Sequence, residues 1–216
     1  YTVRDTGAGF ALSRGELPIR TNKFVCYADT VRRSAQQATA RILEAAEAEF
    51  TQVGVTGARI DRIAKEAGAS KERLYAYFGD KQGLFDQVIR DASQRVASVV
   101  PIEQDDLVGY AGRLVEHLFT HPEDLRLLAW TRLDERCERA LQLDTVVAYQ
   151  AERAAAVRRA QAAGLVDPSW DPDELLKLIL AIATYWASAT GTGRDSPAHY
   201  RSVAEEAVRR LIEPRR

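Results

Sequence analysis

From Ala35 onward, apolar residues return every three to four positions. Ile42, Leu43, Ala46, Phe50 and Val53 share one face of a helix whose other side carries Glu44, Glu47 and Glu49. Gly54 is the expected stop, because glycine reaches the left-handed backbone that ends helices at little cost. A two-turn pattern of Ile60, Ile63, Ala64 and Ala67 closes at Gly68, after which Ser70 caps a second short helix with Leu74 and Phe78 on its inner side. Asp80 caps a longer helix carrying Leu84, Phe85, Val88, Ile89, Ala92 and Val96, closed off by Pro101. The same period predicts further helices over residues 105–119, 122–136, 139–163, 172–190 and 197–212. Pro122, Pro172 and Pro197 fall in first turns, where a missing N–H is tolerated, and Gly164 and Gly191 supply stops. Residues 1–34 show no sustained period apart from an extended-looking stretch at 24–27. No useful strand alternation follows, so the fold class is all-α with about nine helices: an N-terminal helix-turn-helix head of three helices and a helical body.

Composition narrows the function classes. A chain of 216 residues, 46% hydrophobic and 28% charged, buries an ordinary core, which excludes a disordered, collagen-like or disulfide-stapled polypeptide. Cys26 and Cys137 stand far apart, with no metal-ligand spacing, and point to a reducing cytoplasm. There is no methionine even at position 1, which fits a trimmed start. The most apolar stretch, residues 175–189, contains Lys177, Thr184 and Ser188 and falls short of the ~18 apolar residues a membrane span needs, so it reads as a buried helix and not as a membrane partner. The net charge of −1 offers no electrostatic case for nucleic acid. Divided by position, however, residues 1–97 hold 15 basic and 12 acidic side chains, whereas 98–216 hold 15 and 19. A slightly basic head precedes an acidic body.

Ala64, Gly68 and Leu74 have helix-turn-helix spacing: a small residue where two helices cross, a left-handed turn residue, and an inward anchor on the second helix. At 100° per residue with Leu74 inward, Glu72 and Ala76 point outward, Arg73 and Tyr75 flank them, and Lys71 and Tyr77 lie nearer the rim. Small Ala76 lets the helix approach a groove floor, and Lys71, Arg73 and Tyr75 suit base edges and phosphates, with Glu72 able to accept from a cytosine amino group. Lys81 follows the Asp80 cap, where a cation opposes the helix dipole; a DNA phosphate at that helix start would offset the cost.

The run Arg41-Ile42-Leu43-Glu44-Ala45-Ala46, Phe50, Gly54, Ile63-Ala64, Gly68-Ala69-Ser70-Lys71, Leu74-Tyr75-Ala76-Tyr77-Phe78, Lys81 and Leu84-Phe85 closely resembles the N-terminal domain of TetR-family transcriptional regulators. The resemblance implies a homodimeric repressor that binds a palindromic double-stranded DNA operator and is released by a small-molecule effector. It divides the chain into an extension over 1–34, a DNA-binding domain over 35–97 and an effector-binding and dimerisation domain over 98–216. It places base contacts at Lys71, Glu72, Arg73 and Tyr75, and phosphate contacts at Tyr77 and Lys81. Family members commonly cap the second helix with Thr or Ser; here Ala58 cannot cap, leaving Thr56 as a cap or Arg59 as a phosphate ligand.

In the body, Phe119, Trp130, Leu133, Tyr149 and Tyr185 are candidate effector-lining residues, beside the plainer reading that such aromatics are core. Leu176, Ile179, Leu180, Ala183 and Trp186 belong to a helix apolar nearly all round, and Val203, Ala207 and Leu211 to the face of the last helix. These two helices from each of two subunits could form a four-helix interface. His117 and His121 stand four apart, with Glu116, Asp124 or Cys137 as conceivable further ligands; neither this set nor any cofactor motif makes a recognised site. No G-x-S-x-G, Walker loop or G-x-G-x-x-G occurs, so an enzyme is not indicated. The alternatives left open are an all-α small-molecule or metal-binding protein, or an all-α enzyme, with a merely structural helix-turn-helix.

Overall fold

The computed structural model describes residues 22–134, 139–188 and 196–214, with side chains from residue 32. The described residues form nine α-helices and no strand. In chain order they are α1 (Asn22–Gly57), α2 (Ile60–Ala67), α3 (Lys71–Phe78), α4 (Lys81–Val99), α5 (Leu107–Thr120), α6 (Pro122–Leu133), α7 (Asp144–Ala162), α8 (Pro172–Ser188) and α9 (Pro197–Ile212). A short 3₁₀ turn, Arg139–Gln142, precedes α7. Cys137 and the expected stop at Gly191 lie outside the described residues. The backbone divides after Gln37, and residues 38–216 form one compact unit that contains every site discussed below.

Three sequence expectations are corrected. The stretch 24–27 is helical, because α1 begins at Asn22, thirteen residues before the apolar period does. The segment expected as one helix over 139–163 is a 3₁₀ turn and then α7, with Leu143 in extended conformation between them. The helix expected to reach residue 136 ends at Leu133. Gly54 interrupts α1 as expected, at φ 66° and ψ 179°, but one more helical turn follows to Gly57. That backbone geometry is accessible to glycine almost alone.

Two apolar clusters hold the unit together. The first joins α1 to α4: Ile42, Ala46 and Phe50 from α1, Ile63 and Ala64 from α2, Leu74 from α3, and Leu84, Phe85 and Val88 from α4 are all buried. Phe50 and Phe85 meet edge to face with centroids 5.2 Å apart, a geometry favoured by the aromatic quadrupole. Leu127 of α6, Ala140 of the 3₁₀ turn and Val146 of α7 close this cluster from the body side. The second cluster packs α5 against α7, α8 and α9 around Tyr110, Leu114, Val115, Val157, Leu175, Ile179 and Val208. Burying each such side chain contributes roughly 1.5–3 kcal/mol, so the spacing of these positions fixes which face of each helix turns inward. No helix among the described residues is long and apolar enough to cross a membrane.

Candidate functional site

The helix-turn-helix is built from local chemistry. Gly68 adopts φ 60° and ψ 38°, the left-handed turn that Cβ-bearing residues disfavour, and its N–H bonds back to the last carbonyls of α2. The Ser70 hydroxyl accepts the Arg73 N–H at 3.3 Å, and the Asp80 carboxylate accepts the Gly83 N–H at 2.7 Å, so α3 and α4 both begin on side-chain caps. At α2 the cap comes from elsewhere. Thr56 does not serve, since its hydroxyl donates to Asp134 at 2.8 Å. Glu49 of α1 accepts the Arg59 N–H at 2.9 Å and the Arg62 guanidinium at 2.6 Å, replacing the missing Thr or Ser with a carboxylate brought in by the tertiary fold.

Of the eight α3 residues only Leu74 is buried. Lys71, Glu72, Arg73, Tyr75, Ala76 and Tyr77 are all exposed, Tyr75 at 49% and Tyr77 at 46%, as is Arg59 at the α2 start. Large apolar rings left this open are available to a partner and add nothing to the core. Lys71 reaches Asp61 of α2 at 2.5 Å, and that hydrogen bond holds its pKa above the ordinary lysine value. Both partners are half exposed, so the pair is weak and DNA could displace it cheaply. The Glu72 carboxyl is held below the usual range by its own N–H and then by Ser70, which keeps it an anionic acceptor. Lys81 has internal partners: its ammonium donates to the Thr56 and Ala58 carbonyls at 3.3 and 3.1 Å. The cost of a cation at this helix start, expected to be offset by a DNA phosphate, is offset within the chain by these carbonyls at the end of α1.

In the body, an open-mouthed cavity of about 750 Å³, mouth included, lies among α4, α5, α6, α7 and α8. Its apolar wall includes Ile89, Ala92, Leu114, Leu118, Leu127 and Val146, and its polar groups include Ser93, Asp124, Thr131, Tyr110, Tyr149, Gln150 and Arg153. Arg153 is 4% exposed. Its guanidinium stands 5.4 Å from the Tyr110 ring centre and 5.2 Å from that of Tyr149. Each ring contributes at most ~2 kcal/mol, whereas burying the ion costs several. Burial pushes the pKa of the Tyr110 hydroxyl well above that of free tyrosine, so it remains a neutral donor.

Beside the cavity, a charged network crosses four helices. Asp124 of α6 lies 2.7 Å from His117 of α5 and 2.6 Å from Arg95 of α4, and Arg95 also meets Glu47 of α1 at 2.6 Å. Burial works against the Arg95 charge, but Asp124 and Glu47 outweigh it and raise its pKa. His117 and His121 stack at 4.4 Å with their outer contacts made to Asp124, Thr120 and a backbone carbonyl, and no metal-binding cluster occurs among the described residues.

Residues 42–88 match the family described as bacterial regulatory proteins, tetR family, and residues 106–210 match the tetracyclin repressor-like C-terminal domain. The HTH-type transcriptional repressor SCO4008 of Streptomyces coelicolor is 35% identical over 189 residues, covering 84% of this chain and 98% of the relative. The chain belongs to the TetR family of transcriptional regulators. The crystal structure of SCO4942 from the same organism is 36% identical, with a TM-score of 0.68 over 80% of this chain and 97% of that one. NalD of Pseudomonas aeruginosa, the secondary repressor of the MexAB-OprM multidrug efflux pump, is 19% identical with a TM-score of 0.63, covering 83% of this chain and 98% of its own, and shows the fold alone. Like these relatives, the TetR-family chain described here is a DNA-binding helix-turn-helix regulator, with α2 and α3 as its helix-turn-helix.

The structure redistributes the expected body residues of this TetR-family chain. Of the five candidate effector contacts only Tyr149 lies on the cavity wall. Phe119 stacks on Tyr200 at 5.5 Å and Trp130 covers Gly54, both as packing groups. Leu133, 75% exposed at the end of α6, and Tyr185, 65% exposed on α8, face outward and not into the cavity. Leu176, Ile179 and Ala183 are buried within the chain's own core against α5, and so cannot meet a partner subunit. Leu180 lines the cavity instead. Trp186 stacks on Tyr200 at 5.2 Å, and Val203, Ala207 and Leu211 are half-buried. Apolar Leu178, Ala181 and Tyr185 form the exposed side of α8. Sequence reasoning missed Tyr110, Gln150 and Arg153 and named Asp124 only as a conceivable metal ligand; an arginine and a glutamine three residues apart on α7 were the available signal.

Proposed function

We propose that this TetR-family chain works as a homodimeric repressor whose two α3 helices enter successive major grooves of a palindromic operator about 34 Å apart, and which an effector in the body cavity releases. The observation that carries the reading is the α3 surface: one buried anchor, Leu74, and a continuous exposed face of cationic, aromatic and small side chains. Lys71, Glu72, Arg73 and Tyr75 address bases, and Arg59, Tyr77 and the remaining donor of Lys81 address phosphates. Residues 35–97 serve as the DNA-binding domain, residues 98–216 as the effector and dimerisation domain, and residues 1–34 precede them as an extension. The α4 helix starts in the head at Asp80 and supplies Ile89, Ala92, Ser93 and Val96 to the cavity wall, so a ligand there bears directly on the helix that carries the head. The dimer forms through the outer sides of α8 and α9, with Leu178, Tyr185, Val203 and Ala207 replacing the buried positions expected from sequence.

Binding to the DNA upstream of the chain's own gene, followed by fluorescence anisotropy across a salt series, tests this reading. Arg73→Ala and Lys71→Ala each weaken binding by about 1–3 kcal/mol where they read a base, while loss of a phosphate contact lowers the salt slope by about one. Unchanged affinity and slope in both variants would remove α3 as the reading helix.

A further inference from the structure

We propose that the body cavity is built for an organic anion, a carboxylic acid with an apolar aromatic or aliphatic body, and that Arg153 receives the carboxylate. The inference rests on the reading of this cavity as the effector site. Arg153 is almost fully buried on the cavity wall, yet its Nε is buried without a hydrogen-bond partner. Its NH1 donates only to the neutral Gln150 carbonyl oxygen, at 3.1 Å. Among the described residues no carboxylate pairs with it.

A guanidinium is charged at every accessible pH, so burial cannot be relieved by losing a proton. The Tyr110 and Tyr149 rings flank the guanidinium and the Tyr110 hydroxyl is a hydrogen-bond partner to it, but every one of these groups is neutral and leaves its charge unbalanced. Asp124, the acidic residue of the lining, is already held by Arg95 and His117. The cavity wall therefore holds a buried cation whose partners are all neutral, and the acid that could have neutralised it is engaged elsewhere. A carboxylate matches the guanidinium fork in shape and charge. Ile89, Leu114, Leu118, Leu127 and Val146 make most of the remaining wall apolar, which points to an amphipathic acid over a sugar or inorganic ion.

Isothermal titration of the full chain with 2-naphthoate, 2-naphthamide and 2-naphthylmethylamine, and with decanoate, decanamide and decylamine below their micelle concentrations, tests the assignment. Within each skeleton the acid binds ~10–100-fold more tightly than the amide, the value of a hydrogen-bonded ion pair over its neutral counterpart. Arg153→Gln removes that preference while leaving amide affinity within about threefold, and Arg153→Lys retains part of it. The comparison of head groups on the unmodified protein needs no variant to fold. If the amide or amine matches the acid, if Arg153→Gln keeps the preference, or if no probe binds at millimolar concentration, the anion assignment is overturned. An amine or amide that binds and releases operator DNA would overturn it while leaving the effector cavity standing.

Discussion

Gly54 joins the reading head to the body, and replacing it with alanine tests that joint. Its φ of 66° with ψ of 179° is disfavoured for any side chain, at about 1–3 kcal/mol. An added Cβ would stand 2.8 Å from Trp130 Cε3 and 3.0 Å from Cδ2 and Cζ3, closer than carbon atoms approach, and would meet ring and not a flexible chain end. The indole must shift, straining the 3.3 Å hydrogen bond from Trp130 Nε1 to the Thr51 carbonyl, worth up to ~1 kcal/mol. Together Gly54→Ala costs about 2–4 kcal/mol, a large part of the ~5–15 kcal/mol that a domain has. Urea unfolding followed by tryptophan fluorescence measures it. The same change in a Trp130→Leu background leaves only the backbone component, so the second step is cheaper by about 1 kcal/mol or more. A cost below ~1 kcal/mol, or an equal cost in both backgrounds, refutes the account of Gly54 as the seat for Trp130.

Other perturbations separate the remaining contacts. Arg95→Ala leaves Asp124 buried without its cation and lowers stability by about 2–3 kcal/mol, less than a fully buried pair because Arg95 is partly exposed; adding Asp124→Asn in calorimetry should recover a share of that loss. Arg113, helped by the Gly109 N–H, holds the Asp106 carboxyl below its ordinary value, so its contribution to stability is complete above about pH 4 and fades as pH falls through the lowered value. Asp106→Asn keeps the cap and removes the charge: the variant should melt slightly below wild type at pH 7, the gap closing as pH falls through the lowered Asp106 value, and a gap that widened in acid would contradict the assignment. Tyr185→Glu on the outer side of α8 should yield monomer in analytical ultracentrifugation with the helical circular dichroism unchanged; a persistent dimer would place the interface elsewhere.

The head was legible because its chemistry is local. Ser70, Asp80 and Gly68 occupy turn and cap positions whose partners lie within five residues, so their roles follow from spacing alone. Leu74 needed only the helical period to be placed inward, and the outward set from Lys71 to Tyr77 followed from it. The α2 cap was not legible, since Glu49 reaches Arg59 only after α1 and α2 have packed together. Lys81 is a parallel case: its carbonyl partners at Thr56 and Ala58 are more than twenty residues away.

In the body, hydrophobicity says which residues avoid water but not which neighbour covers them. Leu176, Ile179 and Ala183 carry the same pattern whether they face α5 or a second subunit, and the structure assigns them to α5. Phe119 suited a ligand or a core and Trp186 a partner subunit, and Tyr200 of α9 claims both as stacking partners. The cavity depends on where five helices fail to close, a property of summed side-chain volumes that no single helix encodes. By itself, then, the sequence determined the all-α class, the helix-turn-helix and its outward face, because periodicity, caps and turns act over a few residues. Tertiary structure decided which faces meet, which charges pair and where Arg153 is buried among neutral partners, because those depend on groups brought together from helices far apart along the chain.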